Sequence, residues 1–314
     1  MKSALLLSTL LAGIVFSTPF ASATPPDAGR PAEMGKKYEV RDVRDVAYVE
    51  GKGADPVRHK LDLFLPKGKK DYPTIVFIHG GCWSFGDKSC AGLYSAVGRF
   101  LASRGVGAVL PNYRLSPWVK HPEHIKDVAR AFAWTHRHIG EYGGDPGKLF
   151  VGGHSAGGHL AALLATDEQY LKAEGLSLKD VRGVVAVSGV YRIPDKVEFL
   201  WTAGPDGLGA KVEFKTNPFD LVFGKDPKGR EAASPVCHVC TGLPPFLILH
   251  AEHDLPMLPQ MADEFAKALK AKKCDVRLLK VEGRNHNNIA FRATEPDDPV
   301  ARAMLDFVAE HGGK

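Results

Sequence analysis

The chain has 314 residues, 44% hydrophobic and 25% charged, with 33 glycines, 22 prolines and five cysteines. That is long for one domain but ordinary for an α/β fold, and no internal repeat or low-complexity segment interrupts it. The net charge of +5 is modest and dispersed; Lys67-Gly68-Lys69-Lys70 and the lysines from Lys267 to Lys273 read as solvated loop and helix faces, so no nucleic-acid partner is assigned.

Residues 1–23 read as a signal peptide. Met1-Lys2 is a short basic start, Ala4 to Phe16 an apolar core and Ala21-Ser22-Ala23 a small-residue cleavage site, so the mature chain is expected to begin near Thr24 and to be exported, periplasmic or secreted. A run this short without a charged flank does not comfortably span ~30 Å of hydrocarbon, and no stable membrane anchor is expected. The remainder, 24–314, is expected to form one catalytic domain.

Strands are predicted near Arg44 to Val49, Lys60 to Leu65 and Thr74 to Ile78. Tyr72 to Ile78 is a β-branched and aromatic run of the kind buried on both faces of a parallel sheet. At its C-terminal end stands His79-Gly80-Gly81-Cys82-Trp83. Two glycines there let the backbone turn its N–H groups outward, and Gly81 and Cys82, with Ala156, are the candidate donors to an oxyanion.

A further strand is predicted over Val106 to Pro111, then a helix whose apolar face carries Ile125, Val128, Ala129 and Phe132, then a strand over Leu149 to Val151. Gly153-His154-Ser155-Ala156-Gly157 follows directly and fits a nucleophile elbow. A sharp strand-to-helix turn strains the serine backbone and lifts its hydroxyl clear, and the flanking glycines leave room for the close approach. Ala156 to Ala165 reads as a small-residue helix with its N-terminus aimed at the serine, favourable for developing negative charge.

After a strand over Gly183 to Ser188, the alternation breaks between Tyr191 and Ala233. Phe199, Trp201, Phe214, Phe219 and Phe223 lie there among glycine and proline, a composition suited to an irregular cap over the serine. Together with Trp83 these aromatics are candidates to wall a substrate pocket; the competing reading makes them the cap's own small core. Five cysteines leave at least one unpaired within the chain. Cys237-His238-Val239-Cys240 lacks a second ligand pair, so a disulfide or a plain loop is expected and no metal; Cys82 with Cys90 is another possible bridge, and the pairing, Cys274 included, stays open.

Pro245 to Ala251 is predicted as a strand, and Glu252-His253-Asp254 leaves its C-terminal end, where open parallel sheets place their chemistry. Asp254, deeper in the loop than Glu252, is the candidate acid. A helix with Leu258, Met261, Phe265 and Leu269 on one face, a strand over Val276 to Val281 and a closing helix over Val300 to Val308 complete the chain. His286 follows the last strand and is preferred as base to His311, which sits beside Gly312-Gly313 at a helix end. Oxyanion loop, serine, acid and histidine then occur in an order suited to acyl transfer: the imidazole takes the serine proton and the carboxylate fixes its tautomer. No metal or organic cofactor is needed.

From Val43 to Val308 the chain resembles the α/β-hydrolase esterases of the carboxylesterase and kynurenine formamidase-like group, related to hormone-sensitive-lipase-type esterases. The resemblance rests on His79-Gly80-Gly81-Cys82-Trp83 with Gly86-Asp87-Lys88, on Asn112-Tyr113-Arg114-Leu115, Tyr142-Gly143-Gly144-Asp145-Pro146 and Gly153-His154-Ser155-Ala156-Gly157-Gly158-His159, continued by Ser234-Pro235-Val236 and the Asp254 and His286 loops. It implies an α/β-hydrolase fold: a mostly parallel twisted sheet with two antiparallel leading strands, helices on both faces and a small cap at about 191–233. The lipase-type relatives carry a third glycine where Cys82 stands and an aspartate where His154 stands, which moves this chain toward the formamidase-like branch. The expected activity is hydrolysis of a small carboxylic ester; aryl formamide hydrolysis is the nearest alternative, and a non-catalytic binding protein on the same fold is a third. Acyl specificity and oligomeric state are open at this level.

Overall fold

The computed structural model describes residues 36–202, 209–213, 217–295 and 297–313. The signal-peptide reading of 1–23 lies outside them. Ten strands follow in order: β1 Val40–Ala47, β2 Lys60–Pro66, β3 Tyr72–Ile78, β4 Gly107–Pro111, β5 Gly144–His154, β6 Gly183–Val187, β7 Glu198–Thr202, β8 Gly209–Glu213, β9 Phe246–His253 and β10 Val276–Asn285. The longer helices are α1 Leu93–Ser103, α2 Glu123–His138, α3 Ala156–Thr166, α4 Leu258–Ala271 and α5 Pro299–Gly312.

Eight strands form one sheet in the order β1-β2-β4-β3-β5-β6-β9-β10. β1 with β2 and β2 with β4 pair antiparallel; every later neighbour pair is parallel. The central strands are apolar on successive residues because both faces are covered, and the two-residue period then sorts their side chains. Val76, Ile78, Val151, Val184 and Ile248 pack with Ile125 and Phe132 of α2, Leu160 and Leu164 of α3 and Phe265 of α4. Ile75, Phe77, Phe150, Val185 and Leu247 pack on the opposite face with Val97 and Leu101 of α1 and Met304 and Phe307 of α5. Every residue of α3 is buried. Its glycines allow that approach: a β-carbon on Gly158 would stand 3.1 Å from both the Val187 carbonyl and the Gly189 Cα.

Several elements differ from the sequence reading: β5 starts earlier, at Gly144, and β10 runs on to Asn285. β1 lies earlier, at Val40–Ala47, and bulges between Val43 and Val46, where Asp45 takes a positive φ of 57° and donates its N–H to Asp62. The cap region is less irregular than expected, since β7 and β8 pair antiparallel from Glu198 opposite Glu213 to Thr202 opposite Gly209. Phe199 and Trp201 belong to β7, whose aromatic and β-branched content suits a strand; Phe214 lies outside the described residues. Neither bridge left open by the sequence is present, all five cysteines being free thiols. Cys237 is held in a 3₁₀ turn, Pro235–His238, and Cys274 instead donates its S–H to the Cys240 carbonyl at 3.2 Å. Among the described residues no helix is long and apolar enough to cross a membrane.

Candidate active site

The loops that carry chemistry leave the C-terminal ends of β3, β5, β9 and β10. Ile78 at the end of β3 is in register with Gly153 near the end of β5, and His253 with Asn285, which brings four chain-distant loops to one edge. Ser155 sits between β5 and α3 at φ 58° and ψ −120°, a conformation strained for any residue with a β-carbon. It is locked there by its N–H to the Val187 carbonyl at 2.9 Å and by the first turn of α3 accepted on its own carbonyl. The flanking glycines are sterically required. A β-carbon on Gly153 would lie 2.5 Å from the Gly157 carbonyl, and one on Gly157 only 2.0 Å from the Ile78 oxygen.

The structure brings Ser155, His286 and Asp254 together. His286 Nε2 is 2.9 Å from Ser155 Oγ, and its Nδ1 is 2.6 Å from Asp254 Oδ1. An ionised carboxylate only accepts, so Nδ1 carries the proton and Nε2 is left bare to accept from the serine hydroxyl. Burial by itself would raise the Asp254 pKa, but hydrogen bonds from His286, Ser188 and the Ala251 N–H outweigh it and hold the carboxyl below its ordinary value. Ser188 donates to Oδ2 at 2.5 Å, and the Leu255 N–H donates to Oδ1 at 2.8 Å.

The His286 loop is itself built from polar locks. Asn285 Oδ1 accepts from the N–H groups of Asn287 and Asn288, while Asn288 Oδ1 accepts the Asn285 N–H at 2.7 Å. Glu252, passed over as the acid, ties the loop's approach by accepting the Gly283 N–H and pairing with Lys280. Arg284 pairs with Asp298, the N-cap of α5. His311 is elsewhere, packed on Phe307 and 3.8 Å from Asp275.

The glycine loop after β3 bends sharply. Gly81, Cys82 and Trp83 take φ values of 116°, 49° and 57°, and the Gly81 carbonyl accepts from Ser84 and Phe85. A β-carbon at Gly81 would lie 2.1 Å from the Phe85 oxygen. The Gly80 N–H is spent on the Tyr94 hydroxyl at 2.9 Å. The N–H groups of Gly81, Cys82 and Ala156 meet no protein acceptor among the described residues, and the first of α3's N–H groups is free by the geometry of a helix start. Burial pushes the Cys82 thiol up to about 11, so it is a neutral filler beside these donors.

Trp83 is buried, 4% exposed. Its indole N–H donates to His159 Nδ1 at 3.2 Å, and its ring meets Phe223 edge-on at 4.9 Å and Phe219 at 6.0 Å. His159 passes its own Nε2–H to the Ala233 carbonyl at 2.8 Å, and burial keeps that imidazole neutral, its pKa lowered to about 3. Trp83, Phe219 and Phe223 therefore pin the cap to α3, the geometry of the competing cap-core reading. Sequence reasoning missed Ser188, whose only signal is a hydroxyl ending the Val-Val-Ala-Val run of β6, and missed the partners of His154 and Tyr94 altogether.

The sheet order, the elbow and the loop edge are those of the α/β-hydrolase fold. The chain belongs to the BD-FAE family, whose model matches residues 61–269, from β2 to α4, including Ser155 and Asp254 but stopping short of His286. It is similar to esterase LipC of Mycobacterium tuberculosis, 32% identical over 281 residues, covering 85% of this chain and 64% of the relative. The probable carboxylic ester hydrolase LipM of the same organism is 35% identical over 63% of this chain and 45% of its own length. A probable isoprenylcysteine alpha-carbonyl methylesterase of Arabidopsis thaliana, ICMEL1, is 26% identical over 82% of this chain and 53% of that protein. The chain thus spans about half to two thirds of the length of these relatives. Among solved structures, a truncated carbohydrate esterase from gut microbiota superposes with a TM-score of 0.71 at 21% identity, covering 90% of this chain and 99% of the other. An esterase of Pyrobaculum calidifontis gives 0.66 at 23% identity, covering 87% and 86%.

Proposed function

We propose that this chain is a serine hydrolase that cleaves small carboxylic esters through an acyl-enzyme on Ser155. The observation that carries the reading is the line from Ser155 Oγ to His286 Nε2 to Asp254, at 2.9 and 2.6 Å, beside three N–H groups that meet no acceptor among the described residues. As Ser155 Oγ bonds to the ester carbonyl carbon, its proton passes to His286 Nε2, and the carbonyl oxygen takes up the negative charge against Gly81, Cys82 and Ala156. Asp254 stabilises the imidazolium, which then gives its proton to the departing alkoxide as the C–O bond breaks. Water repeats the sequence on the acyl-enzyme and frees Ser155. Base assistance of this kind contributes on the order of 10²–10⁴-fold and one oxyanion donor roughly 10²–10³-fold.

Ester cleavage is favoured over formamide cleavage because the curated relatives are named as ester hydrolases and methylesterases. The test is release of p-nitrophenol from p-nitrophenyl acetate by the purified protein, followed by a panel of longer acyl, feruloyl and acetyl-xylan esters and aryl formamides. Ser155→Ala is expected to lose nearly all activity while staying folded. A folded wild type inactive on every member of the panel would turn the reading to binding. Export of the product belongs to the same proposal; recovery of the protein outside the cytoplasm with Thr24 at its N-terminus, read by Edman degradation, is the expected result, and an intact cytoplasmic Met1 would overturn it.

A further inference from the structure

His154, beside the nucleophile, has no place in the Ser155–His286–Asp254 line itself, yet it is enclosed, 3% exposed, and bonded at both ring nitrogens. Nε2 lies 2.7 Å from the backbone carbonyl of His286, and Nδ1 lies 2.9 Å from the Tyr94 hydroxyl, which in turn accepts the Gly80 N–H at 2.9 Å. The proton positions are forced. A carbonyl only accepts, so Nε2 carries the hydrogen; the phenol must then donate its single O–H to the bare Nδ1 while its lone pair takes the Gly80 N–H. One path of bonds therefore runs from the residue before the Gly81 donor, through the helix α1 and the elbow, to the backbone of the base.

Ring packing tightens the same path. The His154 and His286 rings lie 4.9 Å apart at 41°, and Phe291, in the turn after His286, meets the edge of Tyr94 at 5.2 Å and of His154 at 5.9 Å. We propose that His154 is a positioning residue, which, braced by the Tyr94 hydroxyl, holds the His286 carbonyl and so sets the placement of the base relative to the oxyanion loop. This rests on the acyl-enzyme reading of Ser155. The ring must also stay uncharged, because an imidazolium 4.9 Å from His286 would oppose the positive charge that His286 gains during attack. Burial, then the neighbouring His286, lowers the His154 pKa to about 3 and meets that need.

The experiment compares His154→Ala, His154→Gln, His154→Leu and Tyr94→Phe with wild type and Ser155→Ala on p-nitrophenyl acetate. Active sites are counted by exhaustive phosphonylation read by mass spectrometry, and kcat is expressed per counted site. A base displaced by an ångström costs about 10²-fold, so His154→Ala and His154→Leu, neither of which can donate to the carbonyl, are expected to lose about that much in kcat with KM within about threefold of wild type. Glutamine, whose amide N–H can reach the carbonyl, is expected to recover at least about tenfold of the loss, and Tyr94→Phe combined with His154→Ala to fall no further than His154→Ala alone. A merely structural role would lower the number of titratable sites and leave kcat per site unchanged. That result, or a glutamine variant no better than leucine, overturns the proposal. Should His154→Ala fail to fold, Tyr94→Phe, which removes one oxygen, decides by the same per-site kcat, a wild-type value being the overturning one. An inactive wild type, or an active Ser155→Ala, defeats the acyl-enzyme reading and this proposal with it, whereas an active wild type with indifferent variants defeats this proposal alone.

Discussion

Asp254 accepts four hydrogen bonds, from His286, Ser188, Ala251 and Leu255, although orienting an imidazole needs only one. The surplus keeps a buried carboxylate ionised and aims its Oδ1 at Nδ1. Ser188→Ala removes one of them; a bond to a charged group is worth about 1.5–3 kcal/mol, so kcat/KM for an ester substrate is expected to fall roughly tenfold or more. Unchanged kinetics would mean that the backbone donors suffice. His286→Ala is expected to be far more damaging than His311→Ala, as measured by kcat/KM, because His311 packs on Phe307 away from the site; equal losses would contradict the assignment of the base. Ser155, Asp254 and His286 were legible because each stands in a short motif at the end of an apolar run. Ser188 and Tyr94 were not: a serine ending a strand and a tyrosine on a helix face have no local mark of what they touch across the fold.

At the level of elements, the elbow is the place where local sequence and close packing demand the same residues. Gly157→Ala would drive a methyl group into the Ile78 carbonyl, a backbone atom that cannot swing aside, so the loss of stability is expected to exceed the roughly 1–3 kcal/mol of ordinary overpacking. Gly140→Ala, at a position with nothing within 4 Å, is the control and is expected to leave the urea midpoint nearly unchanged. Comparable midpoints for the two variants would contradict the steric reading of the elbow. The central strands could be read from their unbroken apolar runs. The later part of β10, through Glu282-Gly283-Arg284-Asn285, could not, because polar residues become strand only by pairing with β9, Asn285 opposite His253. The β7–β8 pair escaped for a related reason: glycine and proline near it in sequence read as punctuation, and antiparallel pairing is decided by the partner strand.

Across the whole molecule, the cost of placing so much imidazole inside is sensitivity to acid. His79, His124, His154 and His159 are all buried, and burial lowers their pKa values to about 4, 4, 3 and 3. Each folded value lies below that of the unfolded chain, about 6.5, so the unfolded state binds more protons as the pH falls through this range. The stability these groups contribute is therefore complete above about pH 6.5 and is lost on descending toward pH 4. Up to about four extra protons taken up on unfolding correspond to a slope of up to about 5 kcal/mol per pH unit. Urea midpoints followed from pH 7.5 to 4.5 are expected to fall steeply; a flat profile would show that these rings are not held neutral.

The amino-acid sequence by itself determined which segments are strands buried on both faces, which serine stands on a strained turn, and the order of glycine loop, serine, acid and histidine along the chain, since these depend on side-chain period, on β-carbon volume and on residues adjacent in sequence. The tertiary structure alone decided that Trp83 is committed to His159 and the cap aromatics, that the five cysteines are free, that Glu252 ties the base's loop while Asp254 faces its ring, and that Gly80, Tyr94, His154 and His286 share one bonded path. Each of these is a choice between partners far apart in the chain, and a donor's preference among distant acceptors is set by distance and direction in three dimensions, which no local pattern encodes.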